Sequence, residues 1–248
     1  MARLFRMFAI LFASAAATAC NEAEPTVGEW ERTGELVALS GGDAGARGAC
    51  ITCHGLRGEG DGKLVPRLAG LNPGYIARQL DYFATGLRRH PQMVWIAEQL
   101  DWHSRQKVAF HYAAMPLPPE VPRTIADGPL PDAICSPRIA RLYFFGDPQR
   151  GLISCAECHG RDGMGVGLGN PPVAAQPAPY LEAQLRHWRT GERYGDPNGA
   201  MTHISRLLHE EEIAPLAAFA SRLRDSSRYP ALPEACLRTR RPDPRSGA

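Results

Sequence analysis

Two five-residue strings decide the organisation of this 248-residue chain: CITCH at residues 50–54 and CAECH at residues 155–159. Each string has the form C-x-x-C-H, the attachment signature of a c-type haem. Two thiols at this spacing can bond to the two vinyl groups of one porphyrin, and the next residue can bind its iron. A structural zinc site needs four converging ligands, and each string offers three. The strings therefore predict two covalently attached haem c groups. The residues predicted to hold them are Cys50, Cys53, His54, Cys155, Cys158 and His159.

The similarity between the two halves extends well beyond these strings. Residues 79–88 match residues 184–193 without a gap, sharing Gln, Leu, an aromatic residue, Thr, Gly and Arg. Self-similarity over a period of about 105 residues indicates two homologous domains. Pro66 and Pro171 lie at the same distance from the first cysteine of their own string, and so do Tyr75 and Tyr180.

The duplication and the composition together predict the domain organisation. The predicted segments are a signal peptide at 1–19, an N-terminal extension at 20–33, a first domain at 34–115, a proline-rich linker at 116–136, a second domain at 137–224 and a basic tail at 225–248. The linker is recognised by its density of proline.

Both predicted domains are helical. Apolar residues recur at helical spacing, which predicts helices over 35–40, 75–85 and 101–114 in the first half. The corresponding helices of the second half are predicted over 139–145 and 180–190 and from residue 210 onward. No run of alternating polar and apolar residues indicates a sheet, and the 25 glycines and 22 prolines are typical of short helices joined by loops. The sequence predicts an all-α fold.

The N-terminus indicates export. Residues 1–19 contain two arginines, then a short apolar run, then small residues, which is the pattern of a secretory signal peptide. Cys20 could instead be the processing point of a lipoprotein, which would anchor the chain to a membrane. The formal charge of +2 falls to zero without the leader, so nothing in the overall charge favours nucleic-acid binding.

Three cysteines remain outside the haem strings: Cys20, Cys135 and Cys236. In an oxidising compartment an exposed free thiol is disfavoured, so a lipid on Cys20 would leave Cys135 and Cys236 to form a disulfide. Two unpaired thiols, or a bridge that involves Cys20, are the alternatives.

A second axial ligand for each iron separates an electron carrier from a haem protein with an open site. Met93 and Met201 occupy equivalent places in the two halves, whereas Met115 and His90 have no counterpart, and His203 lies next to Met201. The repeat therefore favours Met93 and Met201 as ligands. The alternative is that these methionines, each taken to precede a helix, fill the core.

The order of these features resembles the di-haem cytochrome c4 family over residues 34–224. The resemblance implies two tandem class I cytochrome c domains and an electron carrier of the bacterial periplasm with no catalytic residues. It implies a membrane dehydrogenase or a bc-type complex as donor and a haem-copper terminal oxidase as acceptor. The alternatives are a cytochrome subunit of a membrane-bound dehydrogenase or oxidase complex, and an enzyme such as a di-haem peroxidase or a sulfur-compound dehydrogenase.

The same resemblance assigns roles to further residues. It implies Met93 and Met201 as distal ligands, and backbone carbonyls of Pro66 and Pro171 as acceptors for the outer nitrogens of the two histidines. Arg88 and Arg193 are expected to meet haem propionates near the domain interface, the alternative being two solvated surface arginines. The second loop departs from the first: PPVAA stands at residues 171–175 where PRLAG stands at 66–70.

Overall fold

The computed structural model describes residues 33–117, 137–194, 196 and 198–223. Within these residues the regular elements are helices, and the only pairings of extended backbone are the isolated bridges Arg88–Arg193 and Asp147–Leu152. The first half contains α1 (Gly34–Ser40), α2 (Ile51–His54), α3 (Pro73–Ala84), α4 (Pro91–Gln99) and α5 (Trp102–Ala114). The second contains α6 (Pro137–Phe145), α7 (Cys155–His159), α8 (Ala178–Thr190), α9 (Ala200–Leu207) and α10 (Glu210–Ser221).

Local capping explains where the long helices of the first half begin. The Asn72 side chain accepts a hydrogen bond from the Tyr75 N–H at 3.1 Å, and Pro73 then occupies the first turn of α3, where its missing N–H costs nothing. Asp101 caps α5 by accepting from the Ser104 N–H at 2.6 Å. The helix predicted over 101–114 is thus confirmed, with the aspartate at its start.

Each half has a hydrophobic core of its own. In the first half α3 packs against α4 and α5, and α1 packs against α5. In the second half α8 packs against α9 and α10, and α6 against α10. Burying each large apolar side chain stabilises a half by about 1.5–3 kcal/mol. Members of the first core include Ile76, Phe83, Val108 and Tyr112, and members of the second include Tyr143, Leu208, Ile213 and Phe219.

Four helices were not predicted from the sequence: the short α2 and α7, and α4 and α9. The last two correct the placement of the methionines. Met93 and Met201 were taken to precede a helix, but each lies in the first turn of one. Neither helix is directly preceded by Ser, Thr, Asp or Asn: the cap of α4 is His90 and that of α9 is Gly199, whose φ is 65°. Pro91 at the start of α4 was the one signal available.

A buried carboxylate joins the elements of the second half. Glu212, in the first turn of α10, is 1% exposed and receives two hydrogen bonds from Arg150, at 2.9 and 3.1 Å. Arg138 of α6 donates to it at 2.6 Å, and the His209 N–H at 2.9 Å. The bonds to the guanidinium and to the N–H hold the pKa of Glu212 below its ordinary value despite its burial.

Several sequence predictions lie outside the described residues. These are the signal peptide, the extension, the linker, the basic tail and the cysteines Cys20, Cys135 and Cys236. The domain boundaries therefore stay a prediction. Among the helices that the structure describes, none is long and apolar enough to cross a membrane.

Candidate haem sites

Each C-x-x-C-H histidine is held by the carbonyl of its half's loop proline. The His54 Nδ1 lies 2.9 Å from the Pro66 carbonyl oxygen, and the His159 Nδ1 lies 2.8 Å from that of Pro171. Burial lowers the pKa of both imidazoles, so they are neutral near pH 7. Because the carbonyl accepts the Nδ1–H, each ring keeps the lone pair of Nε2 for an iron.

Glycine allows the loops to fold back onto the histidines. The Gly60 N–H donates to the His54 carbonyl at 2.8 Å, and the Gly165 N–H donates to the His159 carbonyl at 2.7 Å. Both glycines have positive φ, and a Cβ at either would stand 2.5 Å or less from a backbone oxygen. Equivalent glycines thus place equivalent prolines against the two rings.

The four cysteines of the strings all line one cavity. Cys50 and Cys155 pack against the two hydrophobic cores, whereas Cys53 is exposed and Cys158 is half-buried.

Met93 and Met201 line the same cavity, whereas Met115 packs against the first core and does not. The Met93 N–H donates to His90 Nδ1 at 3.3 Å, which fixes the first turn of α4. The Met201 N–H donates to the Asp196 carboxylate. The structure thus brings one histidine and one methionine of each half to a common space. Of the alternative ligands, His90 lines this space and His203 does not.

The cavity extends through both halves and has a volume of about 1180 Å³, with mainly apolar walls. Sites for single small molecules are usually about 300–1,000 Å³, so this space is larger than one ligand requires. Both C-x-x-C-H strings and both methionines border it.

Arg88 and Arg193 lie where the halves meet, and both are buried. The alternative of solvated surface arginines is therefore wrong. The Arg88 guanidinium donates to Gln79 Oε1 at 2.8 Å in its own half, and to Tyr180 Oη at 3.1 Å and Gln184 Oε1 at 2.9 Å in the other. The acceptors of Arg193 are Gln184 Oε1 at 2.7 Å, Tyr75 Oη at 3.1 Å and Gln79 Oε1 at 3.3 Å. Burial, together with the neighbouring Arg88, lowers the pKa of Arg193.

That these glutamines and tyrosines bind the two arginines was not predicted from the sequence. Their recurrence at equivalent positions in both halves could have indicated it. Two aromatic rings complete the network: the Arg88 guanidinium lies 4.5 Å from the centre of the Phe83 ring, and that of Arg193 lies 3.9 Å from the Trp188 ring. These contacts favour a cation at each position.

Buried donors beside the cavity test whether a haem fits. Gln79 Nε2, Trp188 Nε1 and Arg193 Nε have no hydrogen-bond partner among the described residues, and all three side chains line the cavity. Buried donors in native proteins are rarely unsatisfied, and carboxylates are their strongest acceptors. Haem carries two propionate carboxylates, so the donor set fits it. When bound, haem supplies a one-electron iron couple, while the side chains described here bind it, orient it and exclude water.

No protein-family model matches the chain. It is 39% identical over 187 residues to the thiosulfate dehydrogenase electron acceptor of Stutzerimonas stutzeri (strain A1501), covering 75% of this chain and 84% of the relative. It is 34% identical over 180 residues to cytochrome c4 of Thiocapsa roseopersicina, covering 72% and 88% respectively. The chain belongs to the di-haem cytochrome c4 family. The resemblance found in the sequence is confirmed, and so are two covalently attached haem c groups and the role of electron carrier rather than enzyme.

Solved structures agree on the fold. The crystal structure of reduced recombinant cytochrome c4 from Pseudomonas stutzeri matches with a TM-score of 0.61 at 23% identity, covering 73% of this chain and 97% of that one. The thiosulfate dehydrogenase from Marichromatium purpuratum, in its as-isolated form, matches with a TM-score of 0.64 at 38% identity, covering 79% of this cytochrome. This cytochrome spans 41% of the length of that chain. The all-α fold of tandem class I cytochrome c domains is confirmed.

Proposed function

We propose that this cytochrome accepts electrons from a thiosulfate-oxidising dehydrogenase in the bacterial periplasm and passes them to a further redox protein. Two relatives, from Stutzerimonas stutzeri and Thiomonas intermedia, are themselves thiosulfate dehydrogenase electron acceptors. The similarity to part of a thiosulfate dehydrogenase supports the same donor. The haem-copper terminal oxidase expected from the sequence is retained as the downstream acceptor in this proposal, and anchoring through Cys20 stays a prediction.

The observation that carries the proposed donor is the similarity to two thiosulfate dehydrogenase electron acceptors, while the common cavity of the two halves supports transfer between the haems. In this proposal His54 and Met93 bind the first iron, and His159 and Met201 bind the second. Held by these residues, neither iron would offer a site to a substrate, and each half would supply a one-electron couple. The residues of both sites border the same cavity, so no hydrophobic core separates them.

The test uses the purified protein with both haems attached and fully oxidised. A catalytic amount of a thiosulfate dehydrogenase is added with thiosulfate, and reduction is followed by the visible absorption of ferrous haem c. We expect both haems to be reduced rapidly, and no reduction when either thiosulfate or the dehydrogenase is left out. If ascorbate reduces the protein completely while the dehydrogenase does not, the proposed donor is wrong.

A further inference from the structure

The peptide group between Pro66 and Arg67 is hydrogen-bonded on both sides. Its carbonyl oxygen accepts from His54 Nδ1 at 2.9 Å. Its N–H, on Arg67, donates to the side-chain Oε1 of Gln176 at 3.0 Å. Gln176 belongs to the second half of the chain, so a residue of one half contacts the amide that holds the histidine of the other.

Gln176 is built into this position. Its Nε2 donates to the Arg67 carbonyl at 2.9 Å, so only one orientation of the side-chain amide satisfies both bonds. The side chain is 4% exposed, and its backbone carbonyl accepts from the Ser221 hydroxyl at 2.6 Å. The preceding Ala175 has φ 58°, the only positive φ among the described residues other than glycine. Such strain persists where the surrounding structure fixes the backbone, as the Ala175 N–H bond to the Ser221 carbonyl does here.

The second half has no equivalent arrangement. There the carbonyl that accepts from His159 belongs to the peptide between Pro171 and Pro172. Because Pro172 has no N–H, this amide cannot donate a hydrogen bond. The two histidines therefore share the same carbonyl geometry but face amides of different polarisation. An amide whose N–H is hydrogen-bonded has a more negative oxygen, since linked hydrogen bonds strengthen one another.

We propose that Gln176 is a positioning residue for the first haem site and lowers its reduction potential relative to the second. By accepting from the Arg67 N–H, Gln176 makes the Pro66 carbonyl a stronger acceptor, and the stronger bond raises the basicity of His54. A more basic histidine favours the ferric form of the iron it binds. The inference rests on His54 and His159 as iron ligands and is independent of the electron donor.

The test is the Gln176→Met variant of the protein with both haems attached, titrated potentiometrically. Methionine keeps the volume of the side chain and removes both hydrogen bonds. At a fixed ambient potential, we expect the ratio of reduced to oxidised first haem to rise by a factor of about 1.5, because a linked hydrogen bond strengthens its neighbour by only roughly 10–30%. This ratio corresponds to about 10 mV for a one-electron couple. The second haem is expected to keep its potential.

The control variant is Ser221→Ala, which removes a hydrogen bond from the same turn but leaves both side-chain bonds of Gln176 in place. It is expected to shift neither potential. If Gln176→Met shifts neither haem or both equally, or if Ser221→Ala gives the same shift, the proposal is overturned, because the effect would be absent or due to loop packing.

A measurement on the unmodified protein keeps the proposal testable should Gln176→Met fail to fold. In the NMR spectrum of the reduced protein, the stronger hydrogen bond is expected to move the Nδ1–H resonance of His54 downfield of that of His159, and to slow its exchange with water. Resonances at the same position, or in the opposite order, would overturn the proposal.

Discussion

Replacing Glu212 by glutamine tests how much the buried carboxylate contributes to the second half. The substitution keeps the volume and one acceptor for the His209 N–H, but it removes the charge that faces Arg150. Breaking a buried ion pair costs about 3–5 kcal/mol. Arg150 is 20% exposed and keeps its contact with Asp147 at 2.8 Å, so part of its charge stays compensated. We therefore expect Glu212→Gln to lower the free energy of unfolding by about 2–3 kcal/mol.

The matched control is Arg138→Met. Arg138 contacts the same carboxylate at 2.6 Å, but its side chain is 59% exposed. Exposed ion pairs contribute about 0–1 kcal/mol, so this variant is expected to lose less than about 1 kcal/mol. Both values are measured by unfolding the haem-loaded protein in urea, followed by circular dichroism and by haem absorption. The slope of the unfolding free energy against urea concentration is expected to be unchanged in both variants. Equal losses in the two variants, or a loss below about 1 kcal/mol for Glu212→Gln, would refute the reasoning from burial.

Three further predictions follow from the same structure. Because folding lowers the pKa of Glu212, the stabilisation by this carboxylate is complete above its ordinary pKa and is lost as the pH falls through the lowered value. The urea concentration at the unfolding midpoint, measured as a function of pH, should therefore fall in acid, and it should fall less for Glu212→Gln. Met93→Ala and Met201→Ala should each remove one haem's share of the methionine charge-transfer band of the oxidised spectrum, while Met115→Ala keeps both; a band unchanged in all three would exclude these ligands. Asp101→Ala should cost about 1 kcal/mol in urea unfolding through loss of the helix cap, and no measurable loss would contradict the capping role.

The sequence was informative wherever function depends on local spacing. The C-x-x-C-H strings and the repeat gave the fold class and the number of haems. The Asp101 cap and the proline carbonyls of both loops appear in the structure where the sequence placed them. The helix cap could be predicted from local pattern and spacing, whereas the proline carbonyls were predicted from the resemblance to the cytochrome c4 family.

Other features depend on how the halves pack and could not be read from either half alone. Gln176 and Arg67 are 109 residues apart, and nothing in the repeat pairs them, because the residue equivalent to Arg67 is Pro172. Burial of Arg88 was equally hidden, since an arginine after a Thr-Gly turn is ordinarily solvated. Its burial depends on acceptors supplied by the opposite half.

The reciprocal contacts of Arg88 and Arg193 make the junction isologous: the same patch of each copy meets its counterpart around a local two-fold axis. Such a surface is self-complementary: the glutamine of each half accepts hydrogen bonds both from the arginine of its own half and from the arginine of the other. The bond between Gln176 and Arg67 has no counterpart related by that axis. It is one of the contacts that make two copies of one fold chemically distinct partners within a single chain.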